Sequence, residues 1–148
     1  MSAESDMIKL YSGRILALAA AMPHTTRLEA PDGTAKKRSP LCGSTVTVDV
    51  TLQDGKVSAY AQDVKACALG QAAASVIGSA IIGLSEDEIS QGRDQLTAML
   101  KADGPAPVAP FDELHVLEPA KDYKNRHASI LLAFDATLAA IAAAKAEA

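Results

Sequence analysis

The run Thr45-Val46-Thr47-Val48-Asp49-Val50-Thr51-Leu52 alternates without a break. A period of two puts Val46, Val48, Val50 and Leu52 on one face and Thr45, Thr47, Asp49 and Thr51 on the other, the pattern of a half-buried strand. Asp54-Gly55 follows, the dipeptide that a tight hairpin turn favours. A return strand is predicted from Lys56 to about Lys65, with looser alternation. Two strands alone bury too little to be stable in water, so the apolar face needs a cover. The helices that follow supply it.

Those helices can be read from their periods and stops. Val64-Lys65-Ala66-Cys67 leads into a helix from Cys67 to about Ile82, lined with Ala72, Ala73, Ala74, Ser75, Gly78 and Ser79 and ended by Gly83. Ser85, three residues before Glu88, makes a capping box. The helix it opens runs to about Leu100, with Ile89, Leu96, Met99 and Leu100 inward. A proline-rich loop spans residues 103–110, and Phe111 to Leu117 reads as a short helical turn. Asn125 to about Ala146 is the last helix, its face built from Ile130, Leu131, Phe134, Leu138 and Ile141. Ahead of the hairpin, Ser5 and Asp6 cap a helix from about Met7 to Ala21, with Ile8, Tyr11, Ile15, Leu18 and Met22 on one side and Pro23 as its stop. Residues 23–41 hold Pro31-Asp32-Gly33 and Lys36-Lys37-Arg38 with no sustained period, and read as a mobile loop. Strands followed by a run of helices argue an α+β fold. The expected architecture is a small antiparallel sheet, the hairpin with or without an extra strand, covered on one face by helices. With 148 residues the chain is read as one domain, 1–148.

Composition narrows the function classes. The chain is 49% hydrophobic and 22% charged, as soluble globular proteins are. Its net charge of −4 and single basic cluster, Lys36-Lys37-Arg38, argue against a nucleic-acid partner. Ile15 to Met22 is short and apolar, but Glu4 and Asp6 stand in the leader where a secretion signal needs positive charge. Ala66 to Leu84 carries no charge, yet Ala, Gly, Ser and Gln dominate it, so it reads as a core helix and not a membrane span. A cytoplasmic protein is expected.

The chemistry rests on two thiols. Cys67 stands where a helix begins, and the partial positive charge of a helix N-terminus favours a thiolate, the form that binds metals or attacks sulfur. Cys42 sits in Ser39-Pro40-Leu41-Cys42-Gly43-Ser44, the turn that feeds the first strand. A hairpin brings its two ends together, so both thiols are expected at one edge; a Cys42–Cys67 disulfide stays open. Thiolates and imidazoles are good ligands for zinc and iron–sulfur clusters. His127, near the start of the last helix, offers a third ligand or else is an ordinary capping histidine; His24 and His115 lie in loops with no partner motif. No nucleophilic triad order, phosphate loop or paired-carboxylate spacing is present, and Glu86-Asp87-Glu88 suits the first turn of a helix.

Several blocks, in order, resemble the iron–sulfur cluster scaffold family that includes IscU, SufU and the N-terminal domain of NifU. They are Pro40-Leu41-Cys42-Gly43, Asp54-Gly55, Lys65-Ala66-Cys67 and Arg126-His127-Ala128-Ser129-Ile130-Leu131, and the resemblance runs from Tyr11 to the last helix. It implies a protein that is not an enzyme but holds a transient iron–sulfur cluster, or a zinc ion. It also implies a cysteine desulfurase as sulfur donor and apo-proteins as acceptors, and leaves a homodimer open. Cys42 matches the family's first cysteine, Cys67 the second, and His127 the histidine before the third. Ala128 stands where the third cysteine belongs, and Ser44 where an aspartate follows Cys-Gly. Leu117-Glu118-Pro119-Ala120-Lys121 is similar to the family's chaperone-contact stretch, with Glu118 where proline belongs.

Three functions follow. The first is a scaffold or carrier that uses Cys42, Cys67 and His127. The second is a ligand-depleted binding module that docks on assembly partners without building clusters. The third is a thiol enzyme that accepts sulfur on Cys67.

Overall fold

The structure, a computed structural model, describes residues 12–40 and 43–147. Helix α1 (Gly13–Ala20) is followed by strands β1 (Gly33–Arg38), β2 (Thr45–Gln53) and β3 (Lys56–Lys65). Helices α2 (Ala68–Ala80) and α3 (Glu86–Lys101), a 3₁₀ segment (Asp112–Asp122) and helix α4 (Lys124–Glu147) complete the chain. The strands form one antiparallel sheet in the order β1-β2-β3, so the fold is α+β as expected.

The hairpin pairs from Thr45↔Lys65 to Gln53↔Lys56, with a shift between Thr51 and Leu52. Asp54 and Gly55 take φ of +55° and +76°, the left-handed pair that a primed turn requires. Val46, Val48 and Val50 are buried under the helices. Leu52, past the register shift, is only half-buried.

The sequence reading fails in two places around this hairpin. The segment read as a mobile loop contains β1, which pairs with β2 from Gly33↔Val50 to Arg38↔Thr45. Gly-Thr-Ala-Lys-Lys-Arg has neither clean alternation nor β-branched bulk, so no period announces this strand. Its Lys36, Lys37 and Arg38 stay exposed on the sheet edge, where charge discourages pairing with another chain. The second departure is Asp49, which alternation places on the solvent face. It is fully buried, because residues 24–32 cross that face. Arg27 grips its carboxylate with Nε at 2.6 Å and an η nitrogen at 2.9 Å. Leu28 N and Thr34 Oγ1 donate to it as well, at 3.1 and 2.8 Å.

Helix α4 is the centre of the molecule. It lies across β1 and β2 and packs on α2 and α3. Such a helix is apolar all round because it has neighbours all round. By length and composition Lys124–Ala146 would also suit a membrane, but 67% of its most apolar stretch is buried within the fold. Its approach to the sheet depends on Gly33, where a Cβ would overlap the Ala140 carbonyl and the Ala144 nitrogen.

The remaining boundaries follow local chemistry. Ser12 caps α1 by accepting from Ile15 N; the expected caps Ser5 and Asp6, with Ile8 and Tyr11, lie outside the described residues. Both bonds of the Ser85/Glu88 capping box form. Gly83 ends the stretch after α2 with a φ of +89°. The short turn expected from Phe111 extends instead to an eleven-residue 3₁₀ segment. On β3, Gln62 is buried among the helices and donates to the Ala74 carbonyl at 3.1 Å. Gly78 makes room for it, since a Cβ there would meet the Gln62 amide.

Arg27, by hydrogen bonding to Asp49, holds that carboxyl below the usual carboxylate range, against the opposing cost of its burial. The stability it supplies is complete above about pH 4, the ordinary aspartate value, and is lost as pH falls through the depressed folded value. Asp49→Asn is therefore expected to cost about 2 kcal/mol at neutral pH and much less near pH 2, read from denaturant unfolding at both. Equal losses at the two pH values would rule the ion pair out as the cause.

Candidate functional site

The site is built where the hairpin ends meet the starts of α2 and α4. Cys67 is the residue before α2, and its carbonyl accepts from Gln71 N at 2.9 Å. The Gln71 side chain returns to the Ala66 carbonyl at 2.8 Å and fixes this corner. The Cys67 sulfur makes no capping bond and is a half-buried free thiol.

Its polar neighbour is Ser129, in the second turn of α4, with Oγ 3.6 Å from Sγ. Ser129 Oγ is also 3.0 Å from Ser44 Oγ. Both serines are buried, Ser129 at 1% exposure and Ser44 at 4%. The hydroxyl of Ser129 thus links α4 to two other segments, the start of α2 and the strand entry at Ser44. Gly70 makes this contact feasible, because a Cβ there would stand 2.8 Å from Ser129 Oγ.

Ser44 belongs to a turn tied at its base. Ser39 N donates to the Ser44 carbonyl at 2.8 Å, and Gly43 N to the Ser39 carbonyl at 3.0 Å. Gly43 has a φ of +68°, which few other residues tolerate. Cys42 lies outside the described residues. Two cations flank the same edge: Arg38 and Lys65 are both register partners of Thr45, and both are exposed.

His127 is placed elsewhere. It is 3% exposed, and its Nε2 donates to the Ala120 carbonyl at 3.0 Å. It lines a cleft of about 440 Å³ with Leu100, Lys101, Asp103, Lys121, Asp122 and Lys124. Two helical residues apart is about 200° around the axis, so the imidazole and the Ser129 hydroxyl leave α4 on opposite sides. The structure brings Cys67, Ser44 and Ser129 together, and it engages the His127 imidazole with the Ala120 carbonyl. Among the described residues no three His, Cys, Asp or Glu side chains gather into a metal-binding group. His24 packs edge-on against Tyr60, and His115 lines a separate cleft beside Asp112 and Glu113.

Solved structures share this fold. The N-terminal part of a nitrogen-fixing NifU-like protein from Brucella abortus is 45% identical over 97% of this chain and 99% of its own, with a TM-score of 0.92. The chain belongs to the NifU-like N-terminal domain family. Two more distant structures share the fold. One is described as an iron–sulfur cluster assembly scaffold for the SUF system of Fervidobacterium islandicum AW-1. It is 19% identical over 90% of this chain and 98% of its own, with a TM-score of 0.79. The other, a hypothetical protein, is 21% identical over 91% and 98%, with a TM-score of 0.74. No family model and no curated protein matches the chain.

In this NifU-like domain the hydroxyl junction was the feature that sequence reasoning missed. Ser44 stood out only as a missing aspartate, and Ser129 as part of a family block. The hint in the sequence was a serine beside the apolar run Ile130-Leu131-Leu132-Ala133; its glycine neighbour emerges only with the docked helices.

Gly70→Ala should destabilise this NifU-like domain by about 1–3 kcal/mol, since the added methyl must displace Ser129 or part α2 from α4. Ala72→Gly, a cavity and propensity change two residues along α2, should leave the amide signals of Ser44 unmoved. Thermal melting and amide chemical shifts check both; an unperturbed Ser44 signal in Gly70→Ala would contradict the junction.

Proposed function

We propose that this chain is a scaffold or carrier in iron–sulfur cluster assembly, and that it carries its cargo on Cys42 and Cys67. The observation that carries the reading is the near full-length match, at 45% identity, to a NifU-like N-terminal domain. The description of the more distant relative as a cluster assembly scaffold supports the same class. Cys67 at the start of α2 gives a half-buried sulfur that a cluster iron can reach. Ser44, two residues after Cys42, lies against Ser129 next to that sulfur, and two residues of chain reach at most about 7 Å. Arg38 and Lys65 supply positive charge at this edge, which suits thiolate and sulfide cargo.

Two thiolates do not fill a cluster's ligand set, which is usually four. His127 joins them only by releasing the Ala120 carbonyl. The cargo is accordingly held more weakly and passed on more readily than in a site with a full set. The chain acts as a carrier and not a catalyst, in the cytoplasm, and takes sulfur from a cysteine desulfurase for delivery to apo-proteins. Iron with sulfide, rather than zinc, is the cargo that its relatives support.

A second reading has its own observation: Ala128 offers no ligand, and His127 is engaged elsewhere. In that reading the chain docks on assembly partners without building a cluster.

Anaerobic reconstitution with iron and sulfide separates the two. The scaffold reading expects visible charge-transfer absorption that disappears in Cys42→Ser and in Cys67→Ser, survives in His127→Ala, and becomes more persistent in Ala128→Cys. A colourless, iron-free wild type would overturn it. Desulfurase binding that persisted without either thiol would then support the docking module.

A further inference from the structure

We infer that Ser129 is a positioning residue: its hydroxyl donates a hydrogen bond to the Cys67 sulfur when that sulfur carries metal, and Ser44 orients it by donating in turn. The inference rests on the reading that Cys67 is a cargo ligand.

The direction of the bonds follows from proton counting. A hydroxyl has one proton to give and two lone pairs. A metal-bound thiolate has none to give, so at the 3.6 Å contact Ser129 must be the donor. Its own lone pairs then face Ser44 at 3.0 Å, and Ser44 becomes the donor there. Burial of both serines keeps water from competing for either bond.

The local structure shows which groups this hydroxyl reaches. Thr97 and Thr137 sit on helices too, and each donates back to the carbonyl four residues earlier, at 2.8 and 2.7 Å. That is the ordinary habit of a helical hydroxyl. Ser129 Oγ also reaches across to Ser44 and Cys67, into space that Gly70 leaves open.

A hydrogen bond to a ligand sulfur withdraws electron density from it. That steadies the thiolate, lowers its donor level and tunes the metal it holds. Ser44, where the family resemblance expects a carboxylate, thus serves the site through Ser129 and not as a ligand.

Anaerobic titration with Co(II) alone tests this, because sulfur-to-cobalt charge transfer reports the donor level of the sulfur directly. Wild type should show the band, and Cys67→Ser should weaken or lose it. Ser129→Ala should move the band to lower energy and weaken Co(II) binding about tenfold. Ser44→Ala, which leaves the immediate neighbour of Cys67 intact, should move it the same way by less. Circular dichroism confirms that each variant is folded. If Ser129→Ala matches wild type in band position and affinity, the inference is overturned. If only Ser129→Ala moves the band, the role of Ser44 is overturned. A wild type that takes up neither cobalt nor iron with sulfide removes the cargo reading itself and this inference with it. That failure differs from the others because the unmutated protein is then silent.

Discussion

One helix has to touch almost everything in this molecule. Helix α4 lies on β1 and β2 on one side and meets α2 and α3 on the others. Close approach on two of those sides is permitted by single glycines. Gly33 lets α4 settle onto the edge strand, and Gly70 lets α2 come close enough for Ser129 to reach between. A helix held that tightly is a rigid platform, and rigid elements position functional groups better than loops do.

The site inherits its geometry from that packing. The hairpin returns residue 65 beside residue 45, so the turn before β2 and the start of α2 share an edge. Helix α4 then fixes the edge from below by placing a hydroxyl between Ser44 and Cys67. Among the described residues this corner holds a sulfur, two buried hydroxyls and flanking cations.

Most of the fold was legible because its strongest signals are periodic or chemical. The Thr/Val alternation, the Asp54-Gly55 turn, the Ser85/Glu88 capping box and the apolar positions of α3 and α4 each state one conformation. Strand β1 was not legible, since a polar edge strand is selected by its partner and not by its own residues. Asp49 looked solvent-facing because alternation reports the side of a sheet, not whether a distant segment covers it. The site was half legible. Cys67 stands at its helix start as read, whereas the place in the last helix and the family resemblance that made His127 a candidate could not reveal that its imidazole bonds to the Ala120 carbonyl. Ser129 and Gly70 are common residues that gain meaning only when the two helices are docked.

The proposal that Cys42 and Cys67 carry the cargo together stands or falls on whether the two thiols react as neighbours. A short bifunctional thiol reagent, applied to the native protein under anaerobic conditions and followed by peptide mass analysis, measures this directly. The account predicts an intramolecular bridge joining the peptide of Cys42 to that of Cys67, formed faster than single labelling of either and lost on denaturation. Two independently labelled cysteines with no bridge between them would contradict it.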